Sequence, residues 1–189
     1  GKVVREAMVG GDAPAAAALA KGGILLDCSS CAPTDTQALA PELEKIGVGL
    51  VDSPVSGGVK GTREGSLTLM VGGQEDHVAR VRPLLEVMGR AIHHVGPVGA
   101  GHAMKTLVNY IGTSQMLLDF QALLMGQRFG LKPETMVEIL DCSYAKNLST
   151  EIVIRQQILS GAFFHNFTLA LAAKDARIAA ETAQAVGFG

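Results

Sequence analysis

The chain has 189 residues, a formal net charge of −2, 48% hydrophobic and 18% charged residues, and no tryptophan. That is enough apolar material to build a core for one domain or slightly more, and it excludes a disordered chain. With no basic run and little aromatic content, nucleic acid is not an expected partner. No apolar run is long enough to span a membrane and no signal peptide is visible, so a cytoplasmic protein is expected.

Taken in order, residues 13–20 are alanine-rich and helix-compatible, and Gly22-Gly23 stops them. The run ILLD at 24–27 reads as a buried parallel strand between turn signals. Residues 33–46 read as a helix opened by Pro33, and 48–52 (VGLVD) as a second strand. Residues 52–65 are glycine-rich and polar and read as a long loop. Residues 66–71 (SLTLMV) alternate, which places Leu67, Leu69 and Val71 on one face of a third strand. A helix is expected from Glu75, with Pro83 opening a new one, and 91–95 form a fourth strand. Strand and helix alternate to this point, so this part is α/β with a mainly parallel sheet.

After Gly96 no strand pattern recurs. Residues 100–129, 133–142, 147–160 and 169–186 all carry helical spacing. The expected organisation is an α/β domain at 1–96, one part of a nucleotide-binding fold, followed by an all-α domain at 97–189. A cleft is expected between them.

The stretch VGPVGAGHAMKTLVN, from Val95 to Asn109, joins the two parts. Glycines and Pro97 form a turn that feeds a long helix, on which Gly101, Lys105 and Asn109 fall at i, i+4 and i+8 on one face. Gly99 and Gly101 would let a ligand approach the backbone. Near the positive end of the helix dipole, and partly desolvated, Lys105 is favoured as a neutral amine. Such an amine can act as general base toward a hydroxyl. The competing reading is a solvated lysine on an amphipathic helix. Asn109 can donate to a substrate oxygen or hold the lysine.

Three further stretches sit at strand ends or helix starts. DSPVSGG, from Asp52, offers Ser56, Gly57 and Gly58 as a nest for a carboxylate or phosphate, or is a glycine turn with no ligand. DCSSCAP, from Asp27, offers small hydroxyls at a helix start, where they serve as caps or meet a cofactor. Lys174-Asp175 follows FTLAL and reads alone as surface charge. Cys28, Cys31 and Cys142 lack the second close pair that a zinc site needs, so no metal is expected and the thiols are read as reduced. His77 and His165 lie in polar surroundings, His93 and His94 alternate across a strand, and His102 is turned away from Lys105 on the helix.

In combination, DxSSxxP, then DSPVSGG with GSLTLMVGG, then GPVGAGHAMKTLVN, then FxLxLxxKD resemble the β-hydroxyacid dehydrogenase family from about Gly22 to Val186. The resemblance implies part of a Rossmann-type domain followed by an all-α domain, with NAD or NADP as hydride carrier. It implies a small 3-hydroxy acid or its semialdehyde as substrate. By position, Lys105 would be the catalytic lysine and Asn109 its neighbour on the substrate. Ser56, Gly57 and Gly58 would bind the substrate carboxylate. Ser30, where relatives usually have threonine, would meet the cofactor, and Lys174 would close its site. The family's GxGxxG fingerprint is absent, so the chain is expected to be a fragment and inactive by itself. Two other readings stand beside this one. One is a decarboxylating enzyme like 6-phosphogluconate dehydrogenase; the other is a non-catalytic assembly module. Because residues 116–124 are apolar over more than one stripe, a homo-oligomer through the α region is expected, with Leu117, Phe120 and Leu124 covered.

Overall fold

The structure, a computed structural model, describes residues 1–164 and 167–188. His165 therefore lies outside the described residues. By packing, the chain divides into one unit of residues 1–107 with 178–189, and a second of residues 108–177.

The first unit opens with α1 (Lys2–Val9) and a single 3-10 turn over Ala15–Ala18, where a longer helix was expected. It continues through β1 (Ile24–Asp27), α2 (Pro33–Glu44), β2 (Gly49–Asp52), β3 (Val55–Ser56), α3 (Gly58–Glu64), β4 (Leu67–Gly72), α4 (Glu75–Met88) and β5 (Gly89–Gly96). The expected long loop after Asp52 is thus a short strand and a helix. Val55 and Ser56 find partners in Leu69 and Thr68 of β4, a pairing that no local signal announces.

The sheet is mixed rather than mainly parallel. β1 pairs parallel with β2, and β4 parallel with β5, but β4 runs antiparallel to both β2 and β3. A parallel return after β2 would need a long crossover. Here β3 lies directly against β4 and α3 only turns the chain back, so the reversal is local. Pro83 does not open a new helix either: α4 runs unbroken through it. Val78, Val81 and Leu85 keep α4 packed on the sheet, while Pro83 and Ala79, whose carbonyl loses its partner to the proline, are both exposed to water.

Both faces of the sheet are covered. On one, Val51, Leu67, Leu69 and Val71 pack with Val78, Val81 and Leu85 of α4. The expected alternation of Leu67, Leu69 and Val71 is what builds this layer. On the other, Leu50 and Val48 pack with Leu39 and Leu43 of α2, flanked by Val4 and Met8 of α1. Leu43, Leu69 and Leu85 are wholly buried, each worth roughly 1.5–3 kcal/mol of transfer free energy.

The second unit has helices and no strand among its described residues. It takes most of α5 (Ala100–Phe129), then α6 (Pro133–Asp141), a wide π-type helix over Ser149–Leu159, and the first half of α7 (Leu169–Ala185). Its buried cluster is small: Leu123, Val137 and Ile154, with Phe120, Met136, Leu140 and Leu159 packed around it. No described helix is long and apolar enough to cross a membrane.

Candidate functional site

Asp52 at the end of β2 organises the first unit's polar centre. Its carboxylate is fully buried and accepts the backbone N–H of Gly99 at 2.7 Å and of His102 at 2.8 Å. Those are orphan donors at the start of α5, so Asp52 caps that helix from across the fold and meets its positive dipole end. Burial pushes the Asp52 carboxyl above its ordinary pKa, against the pull of the two backbone donors.

The glycines at this helix start serve that packing. A side chain on Gly101 would collide with the carbonyl oxygens of Met70 and Asp52, and one on Gly99, at φ +92°, would strike Gln37. The expectation that they clear a path for a ligand is corrected: they let the helix start sit against the strand ends. Lys105, one turn beyond Gly101, is half-buried.

His102 turns inward, with 1% of its surface exposed. Its Nε2 lies 3.0 Å from the carbonyl oxygen of Ser29, and its Nδ1 2.8 Å from the Thr36 hydroxyl. A carbonyl can only accept, so Nε2 carries a hydrogen. Burial disfavours the charged ring, but the Cys31 sulfur, Asp52 and Asp27 outweigh it and hold the His102 pKa above its ordinary value. Asp27, Cys31 and His102 form the group of possible metal donors among the described residues. The Cys31 sulfur is 3.6 Å from Nδ1 and 3.7 Å from Nε2, so it lies along neither lone pair. Both ring nitrogens already face oxygen partners. An ion held by this group would have to displace at least one of those oxygen partners from the ring. Cys28, Cys31 and Cys142 are all free thiols.

The proposed binding residues fall in both units. In the first, Ser30 is exposed on the loop between β1 and α2, and Ser56 is half-buried at the end of β3. Gly57 and Gly58 are exposed with φ of +134° and +60°, which few side chains tolerate. The consecutive positive values make a sharp turn from β3 into α3. In the second unit, Asn109 donates from its amide nitrogen to Asp175 at 2.7 Å, and the Lys174 ammonium lies 3.0 Å from the other Asp175 oxygen. Asp175 is buried, so Lys174-Asp175 is not surface decoration: its carboxylate joins Asn109 and Lys174 in one polar knot. One Asn109 N–H is thereby committed and the second hydrogen of that amide is left for another acceptor.

Sequence reasoning missed Asp52, His102 and Thr36 as partners. The only local hint was a histidine in the first turn of a glycine-opened helix, which is not specific by itself. Around Ser30, the fold offers exposed hydroxyls at the carboxyl end of β1, where ligands of open α/β sheets bind. That chemistry suits a nucleotide's ribose or amide.

Comparison with known proteins agrees with this architecture. Residues 1–96 match the NAD-binding domain of 6-phosphogluconate dehydrogenase, and residues 99–189 match the NAD-binding segment of NADP-dependent 3-hydroxyisobutyrate dehydrogenase. The chain is 38% identical to 2-(hydroxymethyl)glutarate dehydrogenase of Eubacterium barkeri over 93% of its own length and 58% of that protein. It is 36% identical to 3-hydroxyisobutyrate dehydrogenase of Pseudomonas aeruginosa, over 96% of this chain and 63% of that one. The structure of Mycobacterium tuberculosis 3-hydroxyisobutyrate dehydrogenase with L-serine superimposes with a TM-score of 0.85 at 28% identity, over 98% of this chain and 65% of that chain. The chain thus spans about six-tenths of the length of these relatives. On the family matches, the order of its motifs and its mixed sheet followed by helices, the chain belongs to the β-hydroxyacid dehydrogenase family.

Proposed function

We propose that this chain carries the substrate-handling part of an NAD(P)-dependent oxidoreductase acting on a small 3-hydroxy acid or its semialdehyde, with Lys105 as general acid and base. The observation that carries this reading is the anchoring of α5. Asp52 pins the helix at Gly99 and His102, which leaves Lys105 one turn beyond a fixed point. The strand that supplies Asp52 leads, four residues on, to Ser56 and the Gly57-Gly58 turn. A pinned lysine and a glycine turn leaving the same strand suit a substrate with a hydroxyl and a carboxylate.

In the oxidation direction, Lys105 as the free amine takes the hydroxyl proton, and in reduction the ammonium returns it. Ser56, Gly57 and Gly58 hold the carboxylate, and Asn109 offers its remaining amide hydrogen to a substrate oxygen. Ser30 and Lys174 hold the cofactor, with Asp175 fixing the orientation of Lys174. A bound nicotinamide supplies the hydride acceptor or donor. The functional boundary in this reading lies between residues 96 and 97, where strand gives way to helix.

The test uses the protein carrying this chain together with the nucleotide-fingerprint segment of its relatives. NAD+ or NADP+ reduction is followed with a panel of 3-hydroxy acids. The family match over residues 1–96 names 6-phosphogluconate dehydrogenase, so the panel includes a phosphorylated sugar acid. Turnover confined to that compound would replace the reading. No turnover with any of them would favour a non-catalytic module.

We also propose that a second copy of the chain covers the outer face of α5. Leu117 and Leu124, seven residues apart on one face, are both well exposed there. Phe120, by contrast, packs inward against the Leu123–Val137–Ile154 cluster. Two-fold dimers are the commonest closed assembly. Light scattering across a concentration series, with Leu117→Asp and Leu124→Asp beside the parent, reads the assembly. A protein monomeric at every concentration sinks this part.

A further inference from the structure

We propose that His102 is a positioning residue that ties the 29–31 loop to the first turns of α5, and so fixes Ser30 and Lys105 relative to each other. The proposal rests on the functional reading above for the importance of those two residues, but its evidence is separate.

One buried residue reaches three elements. Its Nε2–H donates to the Ser29 carbonyl at 3.0 Å, on a loop whose Ser29 and Ser30 side chains are exposed. Its Nδ1 meets the Thr36 hydroxyl at 2.8 Å, on the first turn of α2. Its own backbone N–H goes to Asp52 at 2.8 Å, at the end of β2. The Ser29 N–H is in turn held by Asp27 at 2.9 Å, so the loop is clamped on both sides of one residue. A loop of small residues has little apolar burial to order it. Here a side chain from a helix 73 positions away supplies the order. Lys105 lies three residues beyond His102, on the next turn of the same helix. Any rotation of that turn strains the bonds to Ser29 and Thr36, and any shift of the loop pulls on the turn.

The experiment compares the chain with His102→Leu and His102→Gln. Leucine keeps bulk and removes both ring bonds. Glutamine places an amide N–H and a carbonyl oxygen at nearly the spacing of the two ring nitrogens, so it can donate to Ser29 and accept from Thr36. Hydrogen exchange is read at residues 29–31, at 103–106, and at Leu69 and Val71 as internal controls. The expected result is exchange about tenfold faster in both test segments for leucine, the effect of a lost buried hydrogen bond. The controls should not change, and glutamine should restore both segments. In the parent, the ring Nε2–H should appear in proton spectra as a slowly exchanging signal.

Unchanged exchange at 29–31 overturns the proposal. So does equal acceleration at Leu69 and Val71, which marks general loosening, or failure of glutamine to restore. If His102→Leu does not fold, Thr36→Val removes one ring partner only. It should quicken the same two segments by a smaller factor, and no change there is again a negative result. These readouts need neither substrate nor cofactor. The linkage can therefore fail while Lys105 remains catalytic, and the converse holds as well.

Discussion

The two units solve burial differently. The first layers helices on both faces of a sheet and buries full side chains on each, from Val51 and Leu69 on one to Leu39 and Leu43 on the other. Among the described residues, the second gathers a smaller cluster of Leu123, Val137 and Ile154, and leaves Leu117, Leu118 and Phe129 largely in water. Polar groups follow suit. In the first unit the strand ends bring Asp52 and His102 into the interior, where each must be paired. In the second, the buried carboxylate of Asp175 is matched by Asn109 of α5 and by its own neighbour Lys174 on α7. A layered sheet is nearly self-sufficient in apolar cover. A thin helical unit with this much exposed leucine is not, so the two should respond differently to change.

The largest expected effect tests where chemistry enters the comparison. Lys105→Ala, in the protein that includes the nucleotide-fingerprint segment, should lower kcat by roughly 10²–10⁴-fold, the usual range for losing a general acid or base. Cofactor affinity should not change. Near-normal turnover would remove Lys105 from the chemistry.

Next comes the capping carboxylate. Asp52→Ala leaves the N–H groups of Gly99 and His102 buried without their acceptor. Each should cost about 1–3 kcal/mol. Urea denaturation of the chain should show the loss in the transition that reports on the first unit, with helical signal from the second retained. A shared loss in both transitions would mean the units do not unfold separately.

A sharper version uses two glycines of α5, one in each unit. Gly101→Ala drives a methyl into the carbonyls of Met70 and Asp52, and should destabilise by about 1–3 kcal/mol. Gly112→Ala meets nothing within 4 Å in the chain and should stabilise by about 1 kcal/mol through helix propensity. Equal effects at both positions would contradict the packing described for the helix start. If a second copy lies against Gly112, the gain should be lost in the assembled form and kept in the Leu117→Asp background.

The smallest effect is electrostatic. Asp141 is held below the usual carboxylate range, chiefly by its bond from Arg155 at 2.6 Å. A carboxyl whose pKa is lower in the folded state contributes stability above its unfolded pKa. That contribution fades as pH falls through the folded value. Stability of the second unit should therefore decline below about pH 4, the unfolded aspartate value. Arg155→Ala should remove that part of the decline, read from urea midpoints at several pH values.

Much of this molecule could be read before folding. Leu67, Leu69 and Val71 alternate and build one core layer because a strand's faces are set by a two-residue period. The helix over Ala100–Phe129 followed from its spacing, and the four motifs in order identified the family. The direction of β4 was not legible. Nor was β3, whose two residues become a strand only because Leu69 and Thr68 lie opposite them. The glycines of α5 were legible as a turn but not as a packing device, since what a missing Cβ avoids depends on strands far away in sequence.

The sequence by itself determined the longer elements, their order and the family, because periodicity, turn chemistry and motif spacing are local properties of the chain. Only the tertiary structure decided that Asp52 caps a helix 47 residues away and that His102 holds the loop at Ser29. Whether a buried polar group is a liability or a lock depends on which donors and acceptors come within about 3 Å of it, and that distance is set by the whole fold.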